Sequence, residues 1–353
     1  MKALKFNISV LLFTLFLATS WNASAIEKFT KELRKSYPAQ EGTLLSIENK
    51  YGSIDINNWE IDSVVIDVTI TVESYSEEKA ESLFNNIDIL FSKSGNNIKA
   101  VTEMSHKFKT GKKFSIDYKV NMPDYVQLDL NQKFGDIYIN TIRAKTKINL
   151  SYGNLKGDKF LYPEEKPVSS INLAYAKATI NECNRSKLTL KYSKMNIGSS
   201  KGLVVVSRFS QLHLDNNQSV IADSKYDSFN IANTDVFMVS SGQYSDFKID
   251  QVNKRLELAL RYGNCKIDYI PKDFESVSIN NEYVASKIGI DPDASYTLEA
   301  ETKYCGVSYP EEAKTITKIV DNSETSLKVI VGPSETPRSR VKIYSKYGNV
   351  SLK

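Results

Sequence analysis

Residues able to carry chemistry are few in this 353-residue chain, and their spacing decides what they could do. Asp215, Asp250 and Asp268 share one position in a repeated phrase, and carboxylates gathered on one face are what glycosidase or polysaccharide lyase chemistry needs. At that position aspartate alternates with asparagine and glycine, so it reads as a turn former. Only His106 and His213 are present, far apart in the repeat, which leaves little material for a metal cluster or a Ser-His-Asp triad. No phosphate loop or dinucleotide fingerprint occurs. Cys183, Cys265 and Cys305 cannot all pair internally. Cys265 and Cys305 sit two repeats apart, about 9–10 Å along the stack and beyond the reach of a bridge, so free thiols are expected. The inventory points to no catalytic residue, no cofactor and no metal.

Two other residue types recur at a fixed place. A basic residue immediately precedes an aromatic in eight of twelve copies of the phrase: Lys50, Lys133, Lys191, Arg208, Lys225, Arg261, Lys303 and Lys346. Stacked outward, they would form a cationic ladder suited to an anionic partner such as a polysaccharide or a lipid head group. The plainer reading is that lysine discourages lateral strand pairing and keeps the surface soluble, with neighbouring acids compensating. The aromatics themselves are Tyr51, Phe134, Tyr152, Tyr175, Tyr192, Phe209, Tyr226, Tyr244, Tyr262, Tyr283, Tyr304 and Tyr347. Flat rings could stack on sugars, but their parity with an apolar residue four positions earlier places them inside, as a structural ring ladder burying about 150–250 Å² per ring. On that expectation Tyr226→Ala would destabilise by about 3–5 kcal/mol.

The elements that position these residues follow from the phrase. Its clearest copies are LTLKYSKMNI (188–197), VVSRFSQLHL (205–214), ADSKYDSFNI (222–231), SSGQYSDFKI (240–249) and LALRYGNCKI (258–267), whose aromatics are spaced by 17, 17, 18 and 18 residues. Such a period belongs to a solenoid, whose units cannot bury an apolar face alone and must stack. Before the aromatic the apolar spacing is two, as in a strand. The step from the aromatic to the next apolar residue is three, so the chain must bend, and the small and polar residues that follow the ring are expected to make the corner. Each phrase is thus strand, corner, strand.

Taken in order, residues 1–25 read as a secretory signal peptide, with Lys2 and Lys5, the apolar run Ile8 to Ala18, and the small residues Ala23-Ser24-Ala25. The apolar run is too short to span a bilayer, so no transmembrane segment is expected after cleavage. The mature chain is expected to be exported, to the periplasm or the cell surface. Residues 26–130 hold the first coil (42–56) and a capping region. There Ser76, Glu77, Glu78 and the spacing Ala80, Leu83, Phe84, Ile87 predict one capped amphipathic helix. Residues 131–309 form the regular repeat. Residues 310–353 hold an irregular insertion and then the last coil, at the C-terminus. With 46 basic and 42 acidic residues, the overall charge gives no reason to expect nucleic acid.

Coils carrying a [Tyr/Phe]-Gly-[Ser/Asp/Asn] phrase, opened by ENKYGSIDINNWEIDSVVIDVTI (48–70) behind a signal peptide, resemble the putative adhesin family of exported Gram-negative bacterial proteins, grouped with auto-transporter adhesin head domains. The resemblance implies an all-β, single-stranded right-handed β-helix (β-solenoid). It covers most of the mature chain and departs at 76–125 and 310–340, and the central copies use serine where the family phrase prefers glycine. It supplies no catalytic residues. The expectation is an exported, non-enzymatic, adhesin-like binding scaffold of the cell envelope or surface with an unidentified ligand, an anionic polysaccharide among the candidates. The alternatives are a carbohydrate-active β-helix enzyme and a self-assembling structural rod.

Overall fold

The computed structural model describes residues 26–105, 113–163 and 169–353, so the expected signal peptide and His106 lie outside the described residues. The protein is all-β. The one helix among the described residues, α1 (Glu77–Phe84), starts where the sequence indicates: the Ser76 hydroxyl accepts from the Lys79 amide, Glu77 and Glu78 occupy the first turn, and Ala80 and Phe84 are buried. No described helix is long and apolar enough to cross a membrane.

Successive copies of the phrase lie on one another in parallel. Leu188 pairs with Val205, Val205 with Ala222 and Ala222 with Val239, while Met195, Leu212 and Phe229 line up in the same way beyond the corner. Identical positions therefore form columns, and the apolar columns face a continuous core. Where the period lengthens from 17 to 18, the register slips by one residue between Ala222 and Asp223. The extra residue is thus absorbed as a bulge just before the aromatic, leaving the ring column unbroken.

At the N-terminal end, β2 (Leu44–Asn58) carries both arms of the first copy and pairs in parallel along β7 (Gln127–Ile142). Its other edge is covered by β5 (Asn97–Met104) and β6 (Phe114–Met122). Further out, β4 (Ile87–Ser94) pairs with β5, β3 (Ser63–Ser74) with β6, and β1 (Glu27–Pro38) with β3, all antiparallel. The switch to antiparallel pairing ends the stack.

The C-terminal end departs from chain order. Strand Ser339–Lys346 inserts between Ser276–Ile288 and Tyr296–Lys303, so the final copy is not the last in space. Beyond it, Glu324–Val331 pairs antiparallel with Tyr296–Lys303, and Lys314–Asp321 pairs with Glu324–Val331. The insertion at 310–340 thus covers this end of the stack, and its outermost strand is exposed along its whole length. The inserted last copy lies between Cys265 and Cys305, correcting their expected two-repeat separation. All three cysteines are unbridged, and burial pushes the thiols of Cys183 and Cys265 up to about 11 and about 12.

Candidate functional site

The expectation that the aromatics sit inside is overturned. Eleven of the twelve rings are 37–55% exposed, and the twelfth, Tyr262, is intermediate. Every one of these residues has positive φ, between 50° and 62°. The left-handed residue is therefore the aromatic itself, not the small residues after it. In the Tyr192 copy, Leu188 and Leu190 point inward, Lys191 and Tyr192 both point outward, and Ser193, Met195 and Ile197 point inward again. The odd step lies between Leu190 and Ser193. A left-handed residue costs a bulky side chain about 1–2 kcal/mol, so twelve in a row need a compensating interaction.

Stacking supplies it. From Tyr51 the column runs through Phe134, Tyr152, Tyr175, Tyr192, Phe209, Tyr226, Tyr244, Tyr262 and Tyr283, with centroids 4.8–5.3 Å apart and planes within 21°. It then passes to Tyr347 at 4.7 Å and ends at Tyr304, a further 4.9 Å on. Each stacked pair contributes about 0.5–1.5 kcal/mol, the same order as the backbone cost it offsets. Tyr226→Ala should then cost about 1–2 kcal/mol in urea unfolding, well below the value for a buried ring. A loss above about 3 kcal/mol would contradict an outer ladder.

Beneath the rings runs a second column, of small buried residues. The Ala176 amide donates to Ser193 Oγ (3.2 Å), the Ser193 amide to Ser210 Oγ (3.0 Å), the Ser210 amide to Asp227 Oδ1 (2.7 Å) and the Asp227 amide to Ser245 Oγ (3.2 Å). Each amide at the corner is satisfied by the side chain one copy away, which is why the central copies carry serine where others carry glycine. Asp227 is the one acid in this column. Burial raises its carboxyl above the usual range, against hydrogen bonds from the Ser210 and Lys225 amides and the Ser224 hydroxyl.

A raised folded-state value means that the stabilising contribution is complete below the unfolded carboxylate range and is lost as pH climbs through the folded value. Asp227→Ser keeps an acceptor for the Ser210 amide and removes the buried charge. Its stability relative to the unmodified protein should therefore rise as pH climbs from the unfolded carboxylate range, about pH 4, to neutral pH. A difference that is flat or falling across that range in urea titrations would refute the assignment.

The basic column flanks the rings as expected from sequence but is not continuous. Lys50 aligns with Lys133, then Ser151 and Ala174 interrupt. Lys191, Arg208 and Lys225 follow in register before Gln243. Glu282 separates Arg261 from Lys346, which aligns with Lys303. The charged groups of Lys133, Lys225, Arg261, Lys303 and Lys346 lie 5.0–5.7 Å from the centroids of their adjacent rings. Acids compensate several members: Arg208 pairs with Asp223 at 2.9 Å, Arg261 with Glu282 at 3.2 Å, and Lys303 with Glu324. Such exposed pairs are worth little individually, but they reduce the like-charge repulsion along the column.

On the other side of the ring ridge runs a groove of about 910 Å³ spanning the five copies from Tyr175 to Tyr244, with Ser193, Ser210 and Asp227 in its floor and Lys177, Lys194 and Gln211 along its wall. The candidate turn aspartates lie elsewhere in the repeat. Asp215 is 3.1 Å from His213 and Asp268 is 2.6 Å from Lys266, each an exposed pair within its own strand. Among the described residues no cluster of three or more His, Cys, Asp or Glu side chains could hold a metal.

No family profile matches the sequence, and no curated protein does. Solved structures to which the chain is similar include a putative cell adhesion protein from Clostridium sporogenes, 12% identical, covering 92% of this chain and 99% of its own, with a TM-score of 0.22. A putative adhesin from Parabacteroides distasonis is 8% identical over 92% of this chain and 97% of its own, TM-score 0.32. A putative lipid binding protein from the same species is 10% identical over 91% and 96%, TM-score 0.31. Likenesses this distant carry no functional argument, so the site is read from its own geometry.

Proposed function

We propose that this chain is an exported single-stranded right-handed β-solenoid working as a non-enzymatic, adhesin-like binding scaffold, with the ring ridge and its groove as the binding face. The observation that carries this reading is the outward ladder itself. Twelve bulky residues hold an unfavourable backbone conformation to keep their rings at the surface, where burial in a core cannot repay it. The offset of 17 or 18 residues between parallel-paired copies supports the solenoid. The engagement of Asp215 and Asp268 with basic neighbours speaks against a carboxylate-pair enzyme. The rod alternative is disfavoured by the outermost strands. Lys28, Lys31, Arg34 and Lys35 occupy β1 at one end, and Lys314 and Lys318 the last strand at the other, a pattern that resists edge-to-edge joining.

The test has two parts. Protease applied to intact native cells separates surface from periplasmic residence, and retention in the cytoplasmic fraction would end the exported reading. Beads coated with the protein should retain cells or envelope vesicles, whereas a variant with Tyr192, Phe209 and Tyr226 all changed to serine should not, while still unfolding cooperatively. Equal retention by the two would remove the ring face from the function.

A further inference from the structure

We infer that the stretch from Tyr175 to Tyr244 binds an acidic linear polysaccharide lengthwise, a conclusion that rests on the ring face being the binding face. The first argument is shape. The groove follows the ring column over five copies, with rings 4.8–5.0 Å apart, so a linear polymer can engage several copies at once while a compact ligand meets one or two.

The second argument is what the rings offer. Their faces are closed by stacked neighbours, leaving edges and the hydroxyls of Tyr175, Tyr192, Tyr226 and Tyr244 toward solvent. A ring edge is the positive end of the aromatic quadrupole. Stacking of a neutral sugar or a nucleic-acid base needs a free face, which this column does not present. Acceptors and anions suit the edges.

Charge is the third argument, and it is local. Lys191, Arg208 and Lys225 follow one another on one flank of the ridge, and Lys177 and Lys194 are adjacent on the other. Arg208 is tied to Asp223. The four lysines make no ion pair among the described residues. Of the two carboxylates lining the groove, Asp227 is buried in its hydrogen-bond network, and Asp246 lies at the far end and accepts from Asn264. A peptide would dock by adding to a strand edge, but the backbone here is already consumed by pairing with the copies on either side. A polyuronate or sulfated glycan instead brings hydroxyls for the tyrosines, Ser228 and Gln211, and acid groups for the lysines.

The experiment is calorimetric titration of the purified protein with alginate hexamers, heparin hexamers, cellohexaose and oligothymidylate at about 50 and about 200 mM salt. Alginate or heparin should bind, more weakly at the higher salt, and cellohexaose and oligothymidylate should not. Binding of both means that carboxylates suffice, and binding of heparin alone means that sulfate is required. Lys191→Gln with Lys225→Gln, and separately Lys177→Gln with Lys194→Gln, should each lower affinity about tenfold. Lys28→Gln with Lys31→Gln, on the outermost strand β1 at the N-terminal end, should not. Binding of cellohexaose or oligothymidylate as tight as that of the acidic glycans, no binding of either acidic glycan, or indifference to the lysines on both flanks of the ridge would overturn the proposal. If the serine ring variant still loses cell retention while no acidic glycan binds, the ring face stands and the ligand class falls.

Discussion

Replacing Gly135 by alanine is expected to destabilise the protein by more than about 3 kcal/mol, among the largest effects any single residue here should show. A Cβ on Gly135 would lie 1.7 Å from the carbonyl oxygen of Gly52 and 2.4 Å from Gln132 Nε2. Neither neighbour can give way cheaply. Gly52 and Gly135 are opposed in the parallel pairing of β2 with β7, and Gln132 Nε2 donates to that same carbonyl at 2.6 Å. The next copy repeats the constraint, since a Cβ on Gly153 would meet the Gly135 carbonyl oxygen at 1.9 Å, so Gly153→Ala should act in the same direction. Gly306 is the control. Its Cβ would meet only Asn349 Oδ1, at 3.9 Å, and its substitution should stay within about 0.5 kcal/mol. Urea midpoints of the three variants decide the matter; comparable losses in all three would mean that close approach at the corner is not the cause.

Phe247→Ala should cost about 3–5 kcal/mol. This ring is 2% exposed and sits among Phe229 at 5.2 Å and Phe237 at 5.9 Å, in an aromatic cluster of the interior. Neighbours on adjacent copies are fixed by backbone pairing, so the cavity can collapse only partly. The informative comparison is with Tyr226→Ala, an aromatic of similar size three residues past Asp223 that lies on the outside. If the two variants lose the same stability, the division between an inner aromatic cluster and an outer ladder is wrong.

The ring ladder was legible in the sequence as a column but not as an outer one. Counting alternate residues from Leu188 through Leu190 leads to Tyr192 as inward, provided the backbone stays extended through the aromatic. A left-handed residue at that point reverses the side chain, and nothing in side-chain preference announces it, because Tyr and Phe seldom adopt the conformation. The signal available was the residue after the ring. Ser193, Ser210 and Ser245 are small because they point into a tight corner, and counting back from Met195 in steps of two reaches Ser193, not Tyr192.

The C-terminal arrangement was hidden for a different reason. The phrase at 341–353 announces a copy, but its neighbours depend on which edge is free when the intervening segment folds back, and that is a long-range property. Lys191, Arg208 and Lys225 could be recognised as a basic series by spacing alone. That Arg208 is held by Asp223 while Lys191 and Lys225 make no such pair among the described residues required knowing which acids the neighbouring copies bring alongside.

By itself the sequence determined the rhythm, the strand-corner-strand unit, the capped helix at Ser76 and the existence of the aromatic and basic columns, since each depends on local spacing and residue type. That the rings face solvent, that the last copy lies between two earlier ones, and that a groove opens between Tyr175 and Tyr244 became visible only in the folded chain. Those features arise from a left-handed backbone angle stabilised by stacking and hydrogen bonding between copies, interactions that exist only once the copies are in contact.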